Sequence, residues 1–276
     1  MPIRASLIQI DVFADSLFEG NPAAVMPLDR WPPDRLLQKV ANENNLSDTA
    51  FLVPTIPADA TPHDDAHPAY HLRWFTPATE VDLCGHATLA AASYLFEDVH
   101  PDAVRLQLWT RSGWLYVERT DGGFTMEVPA DQPTPTDIDP NVAVALGVPI
   151  VEALRGIDLV YLVEDANTVR DLTPDLSALS KLDVRGIIVT ASGAGTGFDF
   201  LSRWFGAQAG VAEDPVTGSA HSQIAPLWAE RLGRTTLIAR QLSPRGGTVR
   251  CAVADGRVYL TGNCVRFFEG TATIPD

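Results

Sequence analysis

The chain has 276 residues, enough for one large domain or two of ordinary size. Hydrophobic residues make up 46% of it and charged residues 20%, a composition typical of a folded globular protein that excludes disorder for most of the chain. Its 35 acidic and 20 basic residues give a formal net charge of −15, which repels nucleic acids and anionic lipid surfaces. We therefore expect neither as a partner.

The amino-terminal residues and the cysteines indicate a cellular location. Residues 1–13 alternate like a strand and lack the cationic start and apolar core of a signal peptide. The three cysteines, Cys84, Cys251 and Cys264, form no C-x-x-C pair, and an odd number is unusual in a secreted disulfide framework. We infer a reducing environment and a cytoplasmic protein.

Four helices are predicted along the chain. One spans residues 33–42, and another spans residues 139–146 and ends at Gly147. A third, over residues 85–97, is apolar on nearly every side and must be covered all around by other elements. A fourth, over residues 218–231, is nearly as apolar.

The chain repeats its own pattern at a spacing of about 130 residues. Each half contains Arg-Trp-Phe, then a glycine that opens an apolar helix, then alternating residues around an Asp-Gly turn. Asp-Gly tolerates the positive φ of a tight hairpin. The matching segments are 73–75 with 203–205, 85–87 with 218–220, and 121–122 with 255–256.

These patterns predict an α+β fold with two pseudo-symmetric domains. Each domain is a curved, mostly antiparallel sheet wrapped around a central helix. The first lobe is expected over residues 1–128 and the second over 136–276, with the proline-dense stretch 129–135 between them. The last strand could cross back to the first lobe.

The two central helices begin with the strongest candidate site. Residues 80–88 read Glu-Val-Asp-Leu-Cys-Gly-His-Ala-Thr, and residues 213–221 read Glu-Asp-Pro-Val-Thr-Gly-Ser-Ala-His. In each, Gly85 or Gly218 lets a ligand approach the first helical turn, whose unpaired N–H groups attract an anion. If the halves face each other, both helix starts converge on one cleft that binds a carboxylate without lysine or arginine.

The sequence lacks the motifs that several other kinds of enzyme chemistry require. The sequence has no Walker lysine, no zinc-ligand spacing and no Gly-x-Ser-x-Gly motif, so we expect no metal, no phosphoryl transfer and no serine hydrolysis. Cys84 is a candidate thiol base at the start of the first central helix, which makes a cysteine-dependent amino-acid epimerase an alternative. Its counterpart in the second half is Thr217, so a two-thiol racemase would lack one thiol.

The same residues resemble the PhzF-like phenazine biosynthesis family, which shares the diaminopimelate epimerase fold. The resemblance implies a cofactor-free isomerase that moves a proton on a small cyclic or amino-acid-like carboxylate in the interdomain cleft, and it allows a homodimer. A catalytically silent ligand- or protein-binding member of the fold is a further alternative. The motifs that carry the family resemblance lie at 11–13, 18–25, 45–51, 75–77, 83–88, 213–221 and 245–247.

The resemblance also implies roles for individual residues. The family typically has glutamate where this chain has Asp48, which is one methylene shorter, so we expect a narrower cleft or a different substrate. The implied catalytic residues are Asp48, His86, Asp214 and Ser219, and the implied substrate-binding residues are Ser47, Gly85 and Gly218.

Overall fold

The computed structural model describes residues 2–62, 64–206 and 211–275. The chain divides into two compact units, one formed by Met1–Glu127 with Thr261–Asp276 and the other by Val128–Leu260. Within the described residues, no helix combines the length and the apolar character needed to cross a membrane.

The first part of the chain alternates strands with two helices. In chain order the elements are β1 (Ile3–Val12), β2 (Asn21–Pro27), α1 (Asp34–Asn44), β3 (Asp48–Val53), β4 (Ala69–Phe75), β5 (Glu80–Val81), α2 (Gly85–Tyr94), β6 (Arg105–Thr110), β7 (Gly113–Thr120) and β8 (Gly123–Pro129).

The second part repeats this order with shorter strands and more helices. Its elements are β9 (Thr134–Pro135), α3 (Pro140–Leu146), β10 (Glu152–Arg155), β11 (Leu159–Leu162), α4 (Ala166–Asp171), α5 (Leu176–Leu179), β12 (Ile187–Ser192), β13 (Phe200–Phe205), α6 (Gly218–Leu232), β14 (Thr236–Gln241), β15 (Gly247–Ala254), β16 (Arg257–Gly262) and β17 (Cys264–Ile274).

The two units share one pattern of strand pairing. In the first, β2 pairs in parallel with β3 and β4 with β6, whereas the joins β17–β1, β1–β2, β3–β4, β6–β7 and β7–β8 are antiparallel. In the second, β11–β12 and β13–β14 are parallel, whereas β9–β10, β10–β11, β12–β13 and β14–β15 are antiparallel. The predicted duplication and the mostly antiparallel sheets are confirmed.

The central helix of each unit starts where the sequence predicts. Every residue of α2 from His86 to Ser93 is buried, because the helix packs against β1, β2 and β3. It ends at Tyr94 and continues as a π-helical turn over Leu95–Val99, so the predicted end at residue 97 falls inside this turn. In the second unit, α6 packs against β14 and β15.

Turn chemistry sets the other boundaries. Pro33 precedes α1, and Asp139 caps α3 by accepting a hydrogen bond from the Asn141 amide. Asp255 and Gly256 have φ of 50° and 72°, as a tight turn between β15 and β16 requires. The stretch 129–135 contains β9, which pairs with β10 inside the second unit.

The repeated Arg-Trp-Phe segments have a structural explanation. In the first unit, Arg73 donates from Nε and Nη2 to the two carboxylate oxygens of Glu80, at 2.7 and 2.8 Å. In the second, Arg203 makes the same fork to Glu213, at 2.7 and 2.9 Å. Each bidentate pair ties the segment before a central helix to β4 or β13, so it fixes where that helix begins.

Candidate active site

Parallel pairing of β2 with β3 brings the starts of these two strands together in the first unit. Ala23 of β2 lies opposite Asp48, the first residue of β3. Asn21, the first residue of β2, is therefore close to the residues that open β3. Ser47 donates from Oγ to Asn21 Oδ1 over 3.1 Å.

His86, in the first turn of α2, lies against this edge of the sheet. Its Nδ1 is 3.4 Å from Asn21 Nδ2, and its Nε2 is 3.8 Å from Asp48 Oδ2. His86 Nε2 has no hydrogen-bond partner among the described residues. The side chains of Asp48 and His86 are both buried, so the predicted acid/base pair occupies one small, water-poor site.

Burial also sets the charge of His86. Loss of water lowers the pKa of its imidazole from 6.5 to about 4. At neutral pH the ring is therefore neutral, with one nitrogen that donates and one that accepts.

Cys84 completes the group from the position before α2. Its Sγ is 3.5 Å from His86 Nδ1. Asp48, Cys84 and His86 could each offer a ligand atom to a metal ion, and these atoms lie within 4.8 Å of one another. The thiol lies beside Nδ1 and the carboxylate lies beside Nε2 of the same ring, so the three side chains also form one acid/base group.

The first turns of both central helices lack a side-chain cap. Neither the side chain of Cys84 before α2 nor that of Thr217 before α6 accepts a hydrogen bond from the helix, whereas the side chains of Asp139, Asp165 and Asp175 cap α3, α4 and α5. Uncapped amides of a first turn need another partner, and an anionic group of a ligand is one that the helix dipole favours.

Backbone strain does not explain why glycine stands at either of these positions. Neither Gly85 nor Gly218 has a positive φ. A Cβ on Gly218 would lie 3.6 Å from Leu260 Cδ1, an ordinary contact, and a Cβ on Gly85 would lie 3.1 Å from Met126 Cε. The fold therefore does not demand glycine at 218.

In the second unit, Asp214 is held by the segment that leads into α6. Thr217 donates from Oγ1 to Asp214 Oδ2 over 2.5 Å, and Gln241 donates from Nε2 to the Asp214 carbonyl over 2.8 Å. The Thr217 amide donates to Gln241 Oε1 over 2.9 Å. Thr217 thus acts as a hydroxyl partner of a carboxylate where the first unit has the Cys84 thiol.

Ser219, the counterpart of His86, contacts an arginine that the sequence analysis missed. Arg185 donates from Nη2 to Ser219 Oγ over 3.1 Å. Its guanidinium also forms a two-point ion pair with Asp158, which is fully buried and accepts from Trp204 and Gln223. The expectation that these helix starts carry no arginine is wrong for α6. No local motif marks Arg185, because its partners lie 27 and 34 residues away in the chain.

The residue four positions after Cys84, and the one four positions after Thr217, each brace the start of a central helix. Thr88 donates from Oγ1 to the Cys84 carbonyl over 2.6 Å, and His221 Nδ1 lies 2.8 Å from the Thr217 carbonyl oxygen. Since that oxygen only accepts, Nδ1 of His221 carries the proton. Burial lowers the pKa of His221 to about 4, so it too is neutral at pH 7.

Comparison with known proteins agrees with the fold. The profile of the PhzC-PhzF family, described as phenazine biosynthesis-like proteins, matches residues 10–270. An uncharacterised isomerase of Pseudomonas aeruginosa is 46% identical over 269 residues, which cover 98% of this chain and 99% of that protein. A PhzF-family crystal structure from Enterococcus faecalis is 42% identical and superimposes with a TM-score of 0.90, covering 98% of this chain and 99% of that one.

A more distant likeness concerns the fold alone. A hydroxyproline epimerase from Agrobacterium vitis superimposes with a TM-score of 0.60 at 12% identity, covering 99% of this chain and 93% of that one. The epimerase-like architecture that the family resemblance implied is thereby confirmed.

Proposed function

The chain belongs to the PhzC-PhzF family of phenazine biosynthesis-like proteins, and we propose that it is an isomerase that moves a proton on a small cyclic or amino-acid-like carboxylate without a cofactor. The observation that carries this proposal is the buried group at the start of α2. There, His86 Nε2 lies 3.8 Å from Asp48 Oδ2 and has no hydrogen-bond partner among the described residues.

In this proposal Asp48 is the base. It takes a proton from a carbon of the substrate, becomes a carboxylic acid, and returns the proton to a different carbon of the same substrate. His86, neutral at pH 7, donates a hydrogen bond to the negative charge that develops between the two steps. The water-poor surroundings of both groups keep the proton from being lost to solvent.

The second unit supports a substrate that carries a carboxylate. The uncapped first turn of α6 and the guanidinium of Arg185 beside Ser219 both favour an anionic group. Asp48 carries the one proton that moves, and Asp214 and Ser219 assist as hydrogen-bonding groups toward the same substrate in this proposal. That both groups of residues serve one substrate, that the protein forms a homodimer and that it works in the cytoplasm stay predictions.

The test is a ligand screen followed by a measurement of deuterium incorporation. Thermal-shift screening with cyclic and aromatic amino acids identifies compounds that bind, and proton NMR in D₂O then follows deuterium incorporation at carbon. We expect Asp48→Asn to abolish incorporation, because an amide cannot accept the proton, while Asp121→Asn at an exposed turn leaves it unchanged. Undiminished incorporation in Asp48→Asn would remove Asp48 from the role of base.

A cysteine-dependent epimerase is the second candidate, favoured by the distance of 3.5 Å between Cys84 Sγ and His86 Nδ1. In that mechanism the thiol is the base, so Cys84→Ser abolishes deuterium incorporation and Asp48→Asn only slows it. Cys251→Ser, at a buried cysteine of the second unit, is the matched control. The pair of variants therefore separates the two candidates, since each assigns the essential base to a different side chain.

A further inference from the structure

A line of three side chains leads from the surface of the first unit to the inner nitrogen of His86. Ser47 Oγ donates to Asn21 Oδ1 over 3.1 Å, and Asn21 Nδ2 lies 3.4 Å from His86 Nδ1. Asn21 is completely buried, and Ser47 is partly exposed. The line therefore approaches the ring from the side opposite to Asp48.

The direction of these hydrogen bonds fixes the position of the ring proton. In the structure the amide oxygen of Asn21 faces the Ser47 hydroxyl and its amide nitrogen faces the imidazole, and an amide nitrogen only donates. Nδ1 of His86 must then accept. A neutral imidazole that accepts at Nδ1 carries its proton on Nε2.

The Cys84 thiol is compatible with the same assignment. Its Sγ lies 3.5 Å from the same Nδ1 and can donate its S–H there. Nε2, which would carry the proton, is the ring atom 3.8 Å from Asp48 Oδ2 and has no hydrogen-bond partner among the described residues. The low pKa of His86, a result of burial, is consistent with a neutral ring.

We propose that Asn21, oriented by Ser47, is a positioning residue that holds His86 as the Nε2–H tautomer, with its N–H directed to the side of the ring where Asp48 lies. The catalytic meaning of this tautomer rests on the proposed proton transfer. His86 then enters the reaction as a hydrogen-bond donor and not as a second base, because its only unprotonated nitrogen is occupied by Asn21.

The described part of the second unit has no equivalent device. Ser219 occupies the position of His86, and the group that reaches it is the guanidinium of Arg185. A hydroxyl has no tautomers to select. Of these two equivalent positions, only that of His86 therefore has a ring proton to fix, which agrees with a site that has one base.

The tautomer can be measured without a substrate. Long-range ¹H–¹⁵N correlation spectra of uniformly ¹⁵N-labelled protein distinguish a protonated from an unprotonated ring nitrogen, and the chain has six histidines to resolve. The spectrum of His86→Gln assigns the His86 signals by their loss. At pH 7 we expect Nε2 to be protonated and Nδ1 to be unprotonated.

Asn21→Asp is the decisive variant, since it replaces the donating NH₂ by an accepting oxygen of the same size. We expect the proton to move to Nδ1 and the pKa of His86 to rise, because a carboxylate stabilises a protonated ring. Asn42→Asp, at an exposed position of α1, introduces the same charge and leaves the His86 signals unchanged.

The wild-type spectrum alone overturns the proposal if Nδ1 carries the proton, so the result does not depend on whether Asn21→Asp folds. A folded Asn21→Asp protein that retains the Nε2–H tautomer overturns it as well. Neither result bears on Asp48 as the base, which the deuterium experiment tests separately.

Discussion

Replacing His221 by asparagine should make the second unit less sensitive to acid. Burial lowers the pKa of His221 from 6.5 to about 4. Between these pH values the unfolded chain binds a proton that the folded unit excludes, so stability is full above pH 6.5 and is lost as the pH falls toward 4. His221→Asn removes this proton, and its amide can still donate to the Thr217 carbonyl as Nδ1 does.

The size of the effect follows from the two pKa values. Each pKa unit is worth about 1.36 kcal/mol, so the whole difference is worth about 3 kcal/mol of unfolding free energy. Integrated only from pH 7 to pH 5, the loss is about 2 kcal/mol. Wild type should therefore lose about 2 kcal/mol more than His221→Asn over that interval.

The assay must report the second unit by itself, because a chain with two compact units need not unfold in a single step. Samples in a urea series at pH 5 and at pH 7 are pulse-labelled by hydrogen exchange at one fixed labelling pH, and mass spectrometry follows the peptides of α6. His67→Asn, in a partly exposed loop of the first unit, is the matched control. Equal pH dependence in wild type and His221→Asn would show that His221 is not buried in its neutral form.

Two further substitutions test the start of α6. Gly218→Ala should keep its thermal midpoint, since the new Cβ meets Leu260 at an ordinary 3.6 Å, and should weaken binding of a carboxylate hit about 10-fold or more if the ligand approaches the backbone there. Unchanged affinity, measured by calorimetry, would place the ligand elsewhere. Arg185→Lys keeps a charge beside buried Asp158 but loses the fork, so we expect a folded protein whose carboxylate affinity falls about 10-fold. Arg231→Lys, at an exposed ion pair, is the control, and equal affinities in the two variants would contradict the role of Arg185.

The sequence predicted the duplication because each repeated residue has a local structural task. Arg73 and Arg203 recur because each makes a two-point ion pair with the glutamate that precedes a central helix. Gly85 and Gly218 each stand at the first position of such a helix. Tasks of this kind depend on neighbours close in the chain, so they leave a readable pattern.

Arg185 and the function of Asn21 could not be predicted in this way. Arg185 meets Ser219 only because β12 and α6 pack in one unit, and its counterpart before β3 is not an arginine. Asn21 lies within a motif that the sequence analysis noted, but its contact with His86 spans 65 residues. Hydrogen-bond direction and ring tautomer depend on such distant contacts, so they follow from coordinates and not from a motif.

The pairing of β1 with β17 has a consequence for biosynthesis. Ile3 lies opposite Ile274, so β1 gains this neighbour only after all the residues between them have been synthesised. The second unit, continuous from Val128 to Leu260, can close its sheet earlier. Nascent chains stalled before β17 should therefore protect α6 from proteases while the edge of β1 remains open to cleavage and to pairing with other nascent chains.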